Sequence, residues 1–385
     1  MARFLAGHGA DPDWRVALAR ADAMLREQAG DELPTLGWCY VGDAYAPHAQ
    51  ALLEALHGRW PGVAWVGCAG YGTASGEAEH LDTPALSLML SALPREQFRI
   101  FHGGQPLPAG FAHAALVHAD PDQTELPGLV AELAQRVGGG GLVGGLSWSR
   151  TGAAQFADGV WRGGLTGVGF ASGVALTTRI TQGCQPIGPV REVTAAAGNL
   201  VIALDGRPAL PQLLQDLGLE DLSQPRQALP RLRATLVGLS DAEQPLLDRG
   251  GQFGSQARVR PLVGVDPVRE AVAIGDEVQP GQHLGFGQRD AERARRDLVR
   301  VCTEIREELA GPADGRASPR TIDGAVYVSC ASRGGPFFGG PAAELKLVQH
   351  ALGDVPLAGF FAAGEIAGTQ VHGHSGVLAV FTSPP

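Results

Sequence analysis

Residues 36–68 read LGWCYVGDAYAPHAQALLEALHGRWPGVAWVGC. Two short apolar runs, Leu36 to Val41 and Val63 to Cys68, are bounded by turn-forming residues and read as buried strands. Between them, Ala46 to Leu56 spaces its apolar residues at three and four, the period of a helix with one buried face. Strand, helix and strand in succession predict an α/β architecture.

The reading extends in both directions. Upstream, Asp11-Pro12, then Trp14, Leu18, Ala21 and Leu25, closed by Gly30, predict a first helix with an acidic N-cap, a first-turn proline and a C-terminal glycine. Downstream, Pro84 to Leu93 and Phe111 to His118 read as strands and Leu126 to Val137 as a helix. From Gly138 the pattern changes. GGGGLVGGLSWSR, QFADGVWRGG and LTGVGFASGVALTTRI combine apolar runs with glycine punctuation, which predicts antiparallel hairpins. NLVIALDG gives a strand and turn, Pro208 to Leu217 a short helix, and Gln224 to Pro230 and Ser240 to Gln252 irregular chain.

Further on, Ala257 to Val263, Ala271 to Ile274 and His283 to Phe286 are spaced like a meander, followed by a long amphipathic helix over Asp290 to Leu309. Ala325 to Ser329 reads as a strand, Pro341 to His350 as a helix, and Pro356 to Phe361 and Val377 to Phe381 as closing strands. PLAGFF and GVLAVF are continuously apolar, so the hairpin Pro356 to Phe381 is expected inside its sheet, with the loop Gly364 to Gly376 beside the turn after Cys330. The predicted fold class is α/β (α+β mixed): two domains, 1–217 and 218–385, with mixed, largely antiparallel sheets flanked by helices. A weak repeat of strand, glycine turn and strand runs through WVGCAGYG…PALSLML, GLVGGLSWSR…LTGVGFA and LAGFFAAGEIAG…HSGVLAVF. Its turns, Gly70 and Gly364 among them, are candidate edges of a site.

Composition limits the function. The 385 residues are 44% hydrophobic and 18% charged with a net charge of −10, a globular profile without a basic patch for nucleic acid or an acidic membrane surface. Five widely spaced cysteines without a C-x-x-C pair argue against a disulfide framework or a cysteine-rich zinc site and fit reduced thiols in the cytoplasm. His8, Asp11 and Asp13 interrupt what a signal peptide would need as an apolar core, and no apolar stretch reaches membrane-spanning length. P-loop, dinucleotide-binding, G-x-S-x-G and H-E-x-x-H patterns are absent.

Reactive residues cluster late, in SCASRGGPFFGGPAAE, GFFAAGEIAG and VHGHSG. Cys330 ends a strand, with Arg333 and Gly334 in the following turn, where a guanidinium and backbone amides favour a thiolate or an anionic ligand; an apolar core cysteine followed by a loop arginine is the alternative. Glu365, between apolar and glycine residues, needs a partner if buried. Arg333 is the expected one, and the carboxylate is a candidate to receive a ligand ammonium. His372 and His374 at strand spacing would point both rings to one face, as weak haem or metal candidates or as two exposed imidazoles.

The order of these motifs resembles the FIST domain proteins, with an N-terminal and a C-terminal FIST region together covering nearly the whole chain. The resemblance rests on WVGCAGYG, DTPALSLML, GGLVGG, QFADGVWRGGLTGVGFASGV, QGCQPIGPVREVTAAAGNLVIALDGRPAL, RPLVGVDPVREAVAIGDEVQPGQHLGFGQRD, VYVSCASRGGPFFGGPAAEL and DVPLAGFFAAGEIAGTQVHGHSGVLAVF. It departs from the family pattern at Ala331-Ser332-Arg333-Gly334, where Asn-Gly-Arg-Gly is commoner, and at His374-Ser375, where an aromatic residue and threonine are commoner. The resemblance implies an intracellular sensory module for small, amino-acid-like ligands. A subgroup of the family binds haem and senses nitric oxide. Many relatives carry an attached output domain, so this chain is expected to signal through a separate partner protein. Three further readings stand beside a non-enzymatic ligand binder: a haem or metal sensor using His372, His374 and Cys330, an enzyme with Cys330 as nucleophile, and a pure interaction scaffold.

Overall fold

The computed structural model describes residues 4–30, 32–247, 251–254, 257–310 and 319–383. The chain groups into two compact units, Met1–Thr181 with Arg295–Pro385, and Gln182–Ala294. The expected halves, 1–217 and 218–385, are stretches of sequence, whereas compactness follows strand pairing, which joins early and late strands in shared sheets.

In chain order, β1 (Phe4–Ala10), α1 (Trp14–Gln28), β2 (Leu36–Gly42), α2 (Ala49–Arg59), β3 (Ala64–Gly70), the hairpin β4 (Gly72–Ser75) and β5 (Ala78–Leu81), and β6 (Ala85–Ser91) make a first repeat. A second is β7 (Phe98–Phe101), β8 (Ala114–Ala119), α3 (Leu126–Gln135), β9 (Gly141–Leu146), the hairpin β10 (Gln155–Ala157) and β11 (Val160–Trp161), and β12 (Leu165–Phe170). β13 (Ala175–Gln182) opens a third. The chain then forms β14 (Cys184–Pro186), β15 (Arg191–Ala197), β16 (Leu200–Leu204), β17 (Arg207–Pro208), α4 (Ala209–Asp216), α5 (Pro225–Ala234), β18 (Thr235–Ser240), β19 (Arg258–Asp266), β20 (Ala271–Ile274) and β21 (His283–Arg289). It resumes the third repeat with α6 (Ala291–Ala310), β22 (Ile322–Cys330), α7 (Ala343–Leu352), β23 (Leu357–Ala362), the hairpin β24 (Glu365–Ala367) and β25 (Gln370–His372), and β26 (Ser375–Thr382).

The larger unit holds three six-stranded sheets with one common order: β1-β6-β2-β3-β10-β11, β7-β12-β8-β9-β24-β25 and β13-β26-β22-β23-β4-β5. At each centre is a parallel pair, β2 with β3, β8 with β9 and β22 with β23. Parallel neighbours need a crossover, and α2, α3 and α7 supply it. The hairpin that follows each second parallel strand leaves for another repeat: β4–β5 completes the edge of β23, β24–β25 that of β9, and β10–β11 that of β3. The exchange is cyclic, so the unit has pseudo-threefold organisation. The recurrent strand, turn and strand segments of the sequence are the corresponding pieces of these repeats.

Inward-facing side chains from all three sheets, including Trp38, Tyr40, Val66, Met89, Leu116, Val143, Phe170, Val328, Phe360 and Phe381, merge into one apolar core. Three equivalent glycines set how closely the parallel strands approach. A Cβ on Gly67, Gly144 or Gly359 would lie 1.9, 1.8 or 1.9 Å from the carbonyl oxygen of Cys39, Val117 or Tyr327, its register partner.

In the smaller unit, antiparallel strands run β21-β15-β16-β20-β19-β18, and β18 pairs back with β21, closing a ring. Val193, Val201, Val237, Val272, Ile274 and Phe286 fill it together with side chains of α4 and α5. Arg191 and Asp216, both nearly buried, pair through two bonds of 2.7 Å.

Most expected elements are present, with four corrections. β1 occupies a segment read only as an interrupted signal peptide, and its alternating FLAGHGA pairs along β6. α5 forms where irregular chain was expected, because Pro225 sits in the first turn and Ala228 and Leu232 still bury one face around Pro230. The expected meander holds only for β19 and β20, since β21 pairs with β15, β18 and β14 instead. The closing strands β23 and β26 are interior and buried, as PLAGFF and GVLAVF imply, yet they flank β22 and do not pair with each other.

Replacing Gly359 by alanine should cost at least about 3 kcal/mol, since rigid backbone must move to admit the methyl group. Urea unfolding measures this, and a loss under about 1 kcal/mol would show the strand approach to be adjustable.

Candidate functional site

The sequence-predicted residues gather at the C-terminal end of β22, the end of a parallel strand where α/β proteins bind ligands. Cys330 closes β22, and the turn folds back so that the Arg333 N–H donates to the Cys330 carbonyl at 2.8 Å. The hairpin β24–β25 places Glu365 opposite His372 and Gly145. His374, at φ 60°, then turns the chain into β26. That left-handed conformation ends strand alternation after His372. The imidazoles therefore do not share a face: His372 is buried and His374 partly exposed.

Glu365 is fully buried. Its Oε2 accepts the Ser375 hydroxyl at 2.7 Å and the Ser375 N–H at 3.1 Å, while Oε1 has no N–H or O–H donor among the described residues and the weakly donating Cys330 thiol is the carboxyl's further partner. Burial pushes the carboxyl up to about 8, against the opposing pull of Ser375, Arg333 and the Cys330 thiol. Burial, and next the Glu365 carboxyl, push the Cys330 thiol up to about 11. Cys330 is therefore a neutral thiol at physiological pH, which corrects the expectation of a thiolate. Its Sγ lies 3.1 Å from the Ser332 hydroxyl, which lies 2.9 Å from His374 Nδ1.

Arg333 is also fully buried, but its partner is Glu344 on α7, not Glu365. Nε and Nη2 approach Glu344 Oε1 at 2.8 and 2.7 Å. Tyr327 and Ser329 donate to the same carboxylate at 2.7 and 2.8 Å. The guanidinium packs 5.1 Å from the Phe338 ring, and its Nη1 has no hydrogen-bond partner among the described residues. Burial works against its charge; Glu344 foremost, with Tyr327 and Glu365, outweighs that and raises its pKa. Arg333 is thus a lock between the β22 turn and α7.

The glycines shape the surroundings. A Cβ on Gly334 would press on Leu81, Glu79 and Phe361, on Gly70 against Phe361 and Phe360, and on Gly364 against Leu146 and the His372 carbonyl. Glu79, from the exchanged hairpin, accepts N–H bonds from Gly335 and Ala342 and ties the loop down.

The repeats give an internal reference. Register places Thr73 and Gln155 at the position of Glu365, and Gly42 and Asp120 at that of Cys330. Thr73, Gln155 and Glu365 are all fully buried, but only the third repeat has an ionisable side chain there. Tyr71, Trp148 and Ala363 are likewise equivalent, and their N–H groups donate to Phe361, Ala69 and Leu146 at 2.9, 2.9 and 3.2 Å, a ring of bonds around the pseudo-threefold axis.

Sequence reasoning gave no site role to Glu344, Ser332, Ser375, Tyr71 or Trp148. Glu344 had a signal: it lies four residues before Val348 on the buried stripe of α7, where a carboxylate demands a partner. Among the described residues, no group of three or more His, Cys, Asp or Glu side chains is placed to hold a metal ion. No described helix is long and apolar enough to cross a membrane.

Residues 35–207 match the FIST N domain and residues 209–368 the FIST C domain. Uncharacterized protein Rv0628c of Mycobacterium tuberculosis is 30% identical over 400 residues, covering 96% of this chain and 97% of the relative. Uncharacterized protein Mb0898c of Mycobacterium bovis is 30% identical over 409 residues, covering 96% of each.

Two outcomes follow from the geometry. Arg333→Ala strands the Glu344 carboxylate and should destabilise the protein by about 3–5 kcal/mol in urea unfolding; a wild-type midpoint would mean the pair is dispensable. Glu365 ionises near 4.5 when unconstrained and near 8 in the fold, so its stabilising contribution is full below about 4.5 and is lost as pH rises through 8. Glu365→Gln should therefore gain stability relative to wild type between pH 5 and pH 9, on the order of 2 kcal/mol or more. A difference that stays flat with pH would contradict the buried, proton-holding carboxyl.

Proposed function

The chain belongs to the FIST family, and from that premise we propose that it is a non-enzymatic, small-ligand-binding sensory protein whose ligand docks at the C-terminal end of β22. The observation that carries this reading is the buried Glu365 Oε1, which has no N–H or O–H donor among the described residues, in the one repeat of three that has an acid there. An unsatisfied buried acceptor costs about 1–3 kcal/mol, which a ligand ammonium would recover on binding as the carboxyl, neutral in the free protein, gives up its proton to solvent. Cys330, Ser332 and His374 line the approach, and Gly70, Gly334, Gly364 and His372 shape its walls. Arg333 supports the turn from behind. The two sequence segments, 1–217 and 218–385, act together here, the first contributing Gly70 and Tyr71 and the second Cys330 and Glu365.

A nucleophilic role for Cys330 fits less well, because its thiol is pushed up to about 11 and is neutral where a nucleophile must be ionised. The five cysteines, all buried and unpaired, favour a reducing compartment such as the cytoplasm. The signal would pass to a separate protein as the site fills.

Differential scanning fluorimetry against the amino acids and their decarboxylated amines tests the reading. Compounds that stabilise the wild type should lose at least tenfold in apparent affinity with Glu365→Gln and weaken with Cys330→Ser. Full response in both variants would place the ligand elsewhere.

A further inference from the structure

The three equivalent residues around the axis are not filled alike. Tyr71 and Trp148 stack on each other, with ring centroids 3.8 Å apart and planes 13° from parallel. Arg150 lies over the Trp148 ring, held by Asp43 and Asp82 at 2.8 and 3.0 Å, and covers that end of the stack. Burial first, and Cys330 next, push the Tyr71 phenol up, which puts that phenol within electrostatic range of Cys330. Tyr71 is partly exposed. In the third repeat the equivalent residue is Ala363, exposed and without a ring to add.

Ala363 is therefore the small member of a ring whose other two members are aromatic, and it directly precedes the Gly364-Glu365 step into β24. Ala363 and Gly364 form the bend between β23 and β24, so Glu365 lies two residues from Ala363 and at most about 7 Å away. A flat ring over Ala363 and against Tyr71 would thus have Glu365 within reach of a nitrogen carried on a two-carbon arm. Stacking on a preformed aromatic pair favours a planar, apolar group, and the unpartnered carboxyl oxygen favours a donor.

Resting on the ligand-binding reading above, we propose that the ligand is an arylethylamine-type molecule whose aromatic ring takes the third aromatic place beside Tyr71 over Ala363 and whose ammonium donates to Glu365. Ala363 and Tyr71 select the ring, and Glu365 selects the nitrogen. Two aromatic positions and one small one at a single axis carry the assignment, because the fold itself specifies what occupies that place in the other repeats.

Isothermal titration of the full chain with phenethylamine, tyramine and n-hexylamine, with phenylacetate as the acidic counterpart, tests both parts. The two aromatic amines should bind at least tenfold more tightly than n-hexylamine, and phenylacetate should not bind. Ala363→Leu and Tyr71→Leu should each weaken phenethylamine at least tenfold and n-hexylamine by less; melting temperatures confirm that the variants fold. Glu365→Gln should abolish binding of every amine. If n-hexylamine binds as tightly as phenethylamine and Ala363→Leu changes nothing, while Glu365→Gln still removes binding, the aromatic assignment is wrong and the Glu365 reading stands. If phenethylamine binds equally to Glu365→Gln, the underlying site is wrong. Absence of binding by any of these amines overturns the arylethylamine class.

Discussion

A buried strand edge with unpaired N–H and C=O groups costs about as much as the hydrogen bonds it forgoes. In the larger unit, β3, β9 and β23 each have such an edge, and each is completed by a hairpin from a different repeat. The first repeat's hairpin is satisfied only when Gly72 meets Phe361, so a pairing made early in the chain waits for one of its last strands. No repeat can be complete alone. The core has the same dependence, because the residues that fill it come from all three sheets at once. Contacts this distant in sequence imply slow, cooperative folding with little partial structure to fall back on.

Against that near-symmetric frame, departures from symmetry are informative. The position filled by Thr73 and Gln155 in two repeats becomes Glu365 in the third, and the position filled by Tyr71 and Trp148 becomes Ala363. Both changes fall within three residues, beside Cys330. The frame could have been satisfied by another threonine or glutamine at far lower electrostatic cost than a buried acid. A second buried acid, Glu344, is by contrast fully engaged by Arg333, Tyr327 and Ser329. The two carboxyls, one saturated and one not, divide the region into a structural lock and an open acceptor.

The secondary structure was largely legible because apolar periodicity reports burial directly: the stripe Trp14, Leu18, Ala21, Leu25 gives α1, and the run PLAGFF gives β23. The grouping of Cys330, Glu365 and His374 was legible too, since each lies at or beside a strand end. Side-chain partners were not. Arg333 and Glu365 both lacked a visible counter-charge, and sequence had no means of preferring that pairing over Glu344, which a helical turn brings in from the other side. The left-handed turn at His374 was also hidden, because histidine carries no such preference as glycine does, and with it went the shared face assumed for His372 and His374. The three strand, turn and strand segments were visible as a repeat, but the exchange of hairpins depends on pairings that periodicity cannot report.

The repeats also differ in where they tolerate change. Between the outer strand and the first parallel strand, the first repeat has α1, the second has residues 102–113 without a helix, and the third has the whole smaller unit followed by α6. After the second parallel strand, all three have a short hairpin. The contrast has a physical cause. The first connection closes no edge outside its own repeat, so its length is nearly free; lengthening a surface loop adds only a slowly growing entropy cost. The second connection completes another repeat's sheet and contributes to the ring of bonds at the axis, so its backbone is fixed from two sides. Glu365 and Ala363 lie on that fixed connection. A binding group placed there inherits a position set by two repeats at once, which gives a small site the rigidity that a free loop lacks.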